Sequence, residues 1–85
     1  MSCEVIIYTK QYCPYCIRAK ELLVSKSIKF EEISIDDCPE KKYEMIEKSH
    51  RKTVPQIFIN GKPVGGCDDL FVLNDSGALN HLQGV

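Results

Sequence analysis

The chain reads as an α/β protein: a four-stranded mixed sheet flanked by helices, with elements in the order β-α-β-α-β-β-α. Three observations carry this reading. Segments rich in β-branched and aromatic residues alternate with segments of helical spacing. An Asn60-Gly61 pair separates two short apolar runs, the signature of a tight hairpin. The 85 residues suffice for one domain, expected to span 1–85, and leave no room for a second. At this length folding removes only about 60% of the unfolded chain's surface from water, so the core must be thin.

Each element has its own warrant. Glu4 to Thr9 is apolar on both alternating faces, which predicts a strand buried on two sides. Pro14 suits the first turn of a helix, where its missing N–H is not needed. From there to about Lys26, Cys16, Ala19 and Leu23 share one face, widened by Leu22, while Arg18, Lys20 and Glu21 can meet water. Phe30 to Ile35 predicts a second strand, less cleanly because the apolar phase slips at Glu31-Glu32. Pro39 opens a second, charge-rich helix to about His50, capped near Asp37 or Cys38 and held by Tyr43 and Ile46. Gln56 to Ile59 is the third strand and Lys62 to Val64 the fourth, with Pro63 favouring an edge. Asp68 and Asp69 begin a last helix where negative charge is favoured, and Gly77 stops it. A short turn over Ala78 to Leu82 is expected to pack back.

Composition excludes several classes. A hydrophobic fraction of 44% with 27% charged residues argues against disorder. Eleven Lys and Arg against 12 Asp and Glu leave a net charge of −1, with no general pull toward nucleic acid or an anionic membrane. The N-terminus lacks the basic lead of a signal peptide. The longest apolar run, Val5 to Tyr8, falls far short of the roughly 20 residues that cross a bilayer. A cytoplasmic protein is therefore expected. Five cysteines, at 3, 13, 16, 38 and 67, are an odd number and too sparse for a secreted disulfide scaffold. The question becomes which of them react.

Cys13-Pro14-Tyr15-Cys16 carries the chemistry. A cysteine at a helix start faces unpaired backbone N–H groups and the positive end of the dipole, which favour thiolate. Such positions lower a thiol pKa from about 8.5 into roughly the 3.5–7.5 range. Lys10 can add positive charge nearby. Cys16 lies close enough to close a disulfide but points to the packed face of the helix. Cys13 is thus expected to attack and Cys16 to resolve. A zinc reading of the pair needs two further ligands at short spacing, whereas Cys3, Cys38, Cys67, His50 and His81 are scattered singly. No metal site is expected.

Lys10, the Cys13-to-Cys16 run, Thr53-Val54-Pro55 and Gly65-Gly66-Cys67-Asp68-Asp69-Leu70 together resemble a dithiol glutaredoxin, most like the short bacterial glutaredoxin 3 type. The pattern spans nearly the whole chain and each piece falls in its order. The resemblance implies the thioredoxin fold, with no tightly bound cofactor and glutathione as cosubstrate. It implies a cis peptide before Pro55, so that Val54's backbone pairs with the cysteine of glutathione. It also implies that Cys67 and Asp68, next to Gly66, offer backbone N–H groups to the glutamyl carboxylate, and that Asp68 takes the glutamyl amine. Lys42, eleven residues before Thr53, matches the position of the cation for the glycine carboxylate. Many relatives carry Arg or Gln there, so Lys42 would act as a point charge. Tyr15 would cover one side of the bound thiol. Cys67 fits a contact role, while Cys3 and Cys38 match no motif and read as small apolar side chains near strand ends.

The partners implied are glutathione and proteins carrying disulfides or bound glutathione, ribonucleotide reductase among them, met by a monomer. Two other readings differ in electron source or task. A thioredoxin-like donor reduced by a reductase protein usually has Gly-Pro between its cysteines and a preceding Trp; here stand Pro14-Tyr15 and Tyr12, with no Trp in the chain. An iron–sulfur glutaredoxin of the monothiol kind carries Cys-Gly-Phe-Ser, which Cys16 contradicts.

Overall fold

A computed structural model describes residues 4–79. Its elements are β1 (Val5–Thr9), α1 (Pro14–Ser25), β2 (Glu31–Ser34), α2 (Pro39–Ser49), β3 (Gln56–Ile59), β4 (Lys62–Gly65) and α3 (Cys67–Asp75). Strands lie in the order β2-β1-β3-β4. β1 and β2 are parallel, whereas β1–β3 and β3–β4 are antiparallel, so the sheet is mixed as the sequence predicts.

Strand alternation sends successive side chains to opposite faces, and β1 uses this to serve two cores. Val5 and Ile7 pack with Ala19 and Leu23 of α1 and with Cys67 and Leu70 of α3. Ile6 and Tyr8 turn to the other face, where Met45 of α2, Ile35 and Phe58 complete a second cluster. The Tyr8 and Phe58 rings meet edge-to-face, centroids 5.5 Å apart, a favoured aromatic geometry. Helices therefore cover both faces of a sheet whose middle strand has no wet side.

The hairpin follows its sequence signal. Asn60 and Gly61 both take positive φ, at 52° and 81°, as a type I′ turn requires, and Pro63 lies on the edge strand β4. Gly77, at φ 83°, follows the end of α3. The second strand is shorter than expected: Phe30 and Ile35 flank β2 and pack into opposite clusters. Tyr43 does not anchor α2, being 66% exposed, while Met45 is fully buried and Ile46 half-buried. At about 100° per residue, positions 43 and 45 lie on nearly opposite sides of the helix. Cys38 sits at the N-cap of α2, not near a strand end. Ala78 and Leu79 begin the last turn, and Leu79 is buried against the α1–α3 core. Cys3, His81 and the turn beyond Leu79 lie outside the described residues. No helix among the described residues is long and apolar enough to cross a membrane.

Candidate functional site

The segment between β1 and α1 delivers the first thiol. Cys13 is the N-cap residue of α1, in extended backbone, with Pro14 in the first helical turn. Its Sγ accepts a hydrogen bond from the Cys16 N–H at 3.2 Å, filling the place that a Ser or Asp oxygen takes in ordinary capping. The same sulfur lies 3.9 Å from the Val54 carbonyl oxygen. No acidic residue stands in the first turn of this helix. Cys13 is half-buried, whereas Cys16 is 1% exposed. Burial, with the neighbouring Cys13 sulfur, pushes the Cys16 thiol up to about 12, against a backbone hydrogen bond from Lys10 that favours the thiolate. Both cysteines are free thiols, as are Cys38 and Cys67. One helix turn thus presents one reachable sulfur and one that stays protonated.

A groove of about 220 Å³ runs between the loop leading into β3 and the start of α3; Cys13 is not among its lining residues but reaches one of them, Val54, through its sulfur. Tyr15, Thr53, Val54, Pro55, Gly66, Cys67 and Asp68 line it. The Val54-Pro55 peptide is cis. The two walls come close: a Cβ added at Gly66 would sit 3.4 Å from the Pro55 carbonyl oxygen. Cys67, the first residue of α3, is buried, and burial with Asp68 alongside raises its thiol pKa.

Two residues singled out from the sequence stand apart from these. Lys10 is exposed and lines a second depression with Tyr12 and Cys16, and is not among the groove-lining residues. Lys42 is exposed on α2 and is not among the groove-lining residues. Conversely, Arg51 and Asp69 line the groove without having been singled out as site residues. Arg51 Nη1 donates to Asp69 Oδ2 at 2.9 Å, and the same oxygen accepts from the Gly66 N–H at 2.9 Å. These bonds, Gly66 first, hold the Asp69 carboxyl below the usual carboxylate range. Gln56 is a further residue of this kind. It is buried, and its Nε2 donates to the Thr53 carbonyl at 3.0 Å and to the Thr53 hydroxyl at 3.2 Å, fixing that wall from beneath. The signal available for Gln56 was a polar side chain opening a buried apolar strand.

Two thiols so unequally placed, on a β-α-β-α-β-β-α sheet covered on both faces, define a thioredoxin-fold dithiol oxidoreductase. Comparison with known proteins narrows the class. The Glutaredoxin family profile matches residues 5–64. Glutaredoxin 3 of Escherichia coli strain K12 is 55% identical over 79 residues, covering 93% of this chain and 95% of that one. The solution structure of glutaredoxin from Brucella melitensis superposes with a TM-score of 0.80 at 54% identity, covering 93% of this chain and 86% of the other. A crystal structure of the buckwheat glutaredoxin–glutathione complex gives 0.84 at 30% identity, covering 92% and 74%. The chain belongs to the glutaredoxin family and is a dithiol member of it. It is a glutathione-dependent thiol–disulfide oxidoreductase.

Proposed function

We propose that this chain, acting as one domain in the cytoplasm, reduces protein–glutathione mixed disulfides through Cys13 alone and protein disulfides through Cys13 with Cys16. The observation that carries the reading is the Cys13 sulfur capping α1 within 3.9 Å of the carbonyl of Val54, a groove-lining residue. In the monothiol route the Cys13 thiolate attacks the glutathione sulfur of the mixed disulfide, and the protein leaves as its thiolate. A second glutathione thiolate attacks the resulting Cys13–glutathione disulfide, forming oxidised glutathione and returning Cys13 to thiolate. In the dithiol route Cys13 bonds to one sulfur of the protein disulfide. Cys16 then gives up its proton and attacks Cys13, which releases the reduced protein. The Cys13–Cys16 disulfide that remains is reduced by two glutathiones in turn.

In this reading glutathione lies along the groove as an extended tripeptide. Val54's backbone pairs with its cysteine, Thr53 and Pro55 shape the same wall, and Tyr15 covers the sulfur. The glutamyl end meets the free N–H groups at the start of α3, near Gly66, Cys67 and Asp68, where a helix N-terminus favours a carboxylate. Asp68, exposed and without an ion pair among the described residues, is suited to the glutamyl amine. Lys42 and Lys10 supply positive charge toward the glycine end and the thiol. Ribonucleotide reductase stands as a protein substrate on family grounds alone. The support for glutathione comes from the family and from the complexed buckwheat relative. The deciding assay supplies a glutathionylated peptide with glutathione, NADPH and glutathione reductase, and in parallel a protein disulfide with NADPH and thioredoxin reductase. Turnover is expected in the first; turnover only in the second would replace glutathione by a reductase protein as the electron source.

A further inference from the structure

The start of α3 contains a conflict of charge. Its N-cap is Gly66, which has no side chain to cap the helix. The capping contact runs the other way, from the Gly66 N–H to the Asp69 carboxylate. Gly65 makes room for that carboxylate: its φ is 119°, and a Cβ there would collide with Asp69 Oδ2. The fold therefore installs a fixed negative charge in the wall of the groove, next to a second carboxylate on Asp68. Glutathione, with two carboxylates and one amine, carries net negative charge. Unless Asp69 is neutralised, it repels the ligand the groove is shaped to accept.

Arg51 stands at that point. It follows His50, whose left-handed backbone (φ 61°) ends α2. Ser49 fixes it from both sides: the Arg51 N–H donates to Ser49 Oγ at 3.1 Å, and Ser49 Oγ donates to the Arg51 carbonyl at 3.1 Å. From this anchored backbone the guanidinium reaches Asp69 through one contact. We propose that Arg51 is a specificity-determining positioning residue, which acts through Asp69 by cancelling the charge of the capping carboxylate so that the groove admits an anionic thiol. The inference rests on the glutathione reading above and assigns Arg51 no contact with the reacting sulfurs.

The test measures kinetics for a glutathionylated peptide and for the neutral bis(2-hydroxyethyl) disulfide, at low and high salt. Arg51→Ala is expected to raise KM for the glutathionylated peptide about three- to tenfold with kcat little changed, and the loss should shrink as salt rises. The neutral disulfide should react as before. Arg51→Lys should recover most of the loss, because the pair uses a single N–O contact and needs no planar fork. Asp69→Asn keeps an acceptor for the Gly66 N–H and removes the charge, so adding it to Arg51→Ala should restore KM. Failure of that double variant to recover, or equal losses toward the neutral disulfide, would show that Arg51 is only a mechanical tether and overturn the proposal. So would an unchanged KM in Arg51→Ala. If the unmodified protein itself shows no preference for the glutathionylated peptide, the glutathione reading fails, and this inference with it.

Discussion

Two helices, α1 and α3, start at the same groove and cap themselves in opposite ways. α1 places a thiol at its N-cap and no acid in its first turn, so its backbone dipole is left to the Cys13 sulfur. α3 has a glycine N-cap and two acids in its first turn, and spends one of them on its own backbone. The difference separates two tasks. At α1 the terminus acts on an atom of the protein, so nothing competes with the sulfur for the N–H of Cys16. At α3, in the function proposed above, the terminus stays open to a ligand from outside. Asp69 caps Gly66, the residue before the helix, and the first-turn N–H groups of Cys67 and Asp68 have no intrahelical partner.

The sharpest way to break this contrast is at the sulfurs. Cys13→Ser is expected to abolish every thiol-exchange activity, because the described thiol lining the groove, Cys67 at the first residue of α3, is buried and has its pKa raised by that burial and by Asp68. Cys16→Ser should keep reduction of glutathione mixed disulfides and lose reduction of protein disulfides. Assaying both variants on a glutathionylated peptide and on a protein disulfide checks the assignment. Deglutathionylation that survives Cys13→Ser but not Cys16→Ser would reverse it.

At α3 the expected effects are smaller, because the proposed contacts are with ligand charge at a partly wet surface. Asp68→Ala should raise KM for the glutathionylated peptide about three- to tenfold, weakening with salt and sparing a neutral disulfide. Lys42→Glu tests the other end of the tripeptide by replacing attraction with repulsion. Its effect should have the same sign and salt dependence and be of comparable or smaller size, since Lys42 lies away from the groove-lining residues. Steady-state kinetics at two ionic strengths measure both. A loss that ignores salt would mean the variants disturb the fold and not the ligand's charge.

The α1 terminus was far more legible in the sequence than the α3 terminus, and the reason is physical. Pro14, the two cysteines and the stripe of Ala19 and Leu23 state a helix start, its cap and its buried face within eleven residues. β1 and the Asn60-Gly61 turn were equally local, one a doubly apolar strand and the other a pair whose positive φ few residues tolerate. What escaped depends on contacts distant in sequence. Arg51 and Asp69 are eighteen residues apart, and their pairing exists only because Gly65 bends to admit the carboxylate. The Gln56 clamp on Thr53 hides in a stretch that reads simply as a strand. The error at Tyr43 has another cause: α2 is charged on most sides, so its apolar positions do not fix its rotation, and Met45 took the place expected of the aromatic ring. Lys10 and Lys42 were found by their spacing from motifs, which fixes their place along the chain but not where their side chains reach.

The buried thiol at α1 also leaves a signature in stability. Cys16 has its pKa raised from the ordinary 9.0 to about 12, chiefly by burial. Between those values the unfolded chain has lost a proton that the folded chain keeps, so stability falls as pH rises through that window. Tyr8 is shifted in the same direction, also chiefly by burial, so the Cys16 share must be taken as a difference. Urea unfolding of the reduced protein and of Cys16→Ser at pH 8 and pH 10.5 is expected to show a steeper decline for the unsubstituted protein. Parallel declines would mean that Cys16 is not held as a thiol by its surroundings.

The smallest effect is expected on the α2 face of the sheet, among residues that do not line the groove. Glu44 accepts from the Tyr8 hydroxyl and from Lys48 at 3.0 Å each, and from Lys41 at 3.3 Å. Those bonds, Lys48 first, lower its carboxyl from 4.5 to about 2. Here the unfolded chain binds the proton first as pH falls. The stabilisation is therefore full above pH 4.5 and lost progressively toward pH 2. Glu44 and both lysines are partly exposed, so water screens the pairs and the effect is modest. Its distinctive part is the tie from α2 to the buried ring of Tyr8, which a surface pair alone would not make. Glu44→Gln should flatten the thermal-stability curve between pH 4.5 and 2 while leaving turnover of a glutathionylated peptide at pH 7 unchanged. An equal acid sensitivity in both proteins would place the titrating carboxylates elsewhere. A loss of turnover would mean that the α2 face communicates with the groove, and that the two helix starts do not carry the chemistry by themselves.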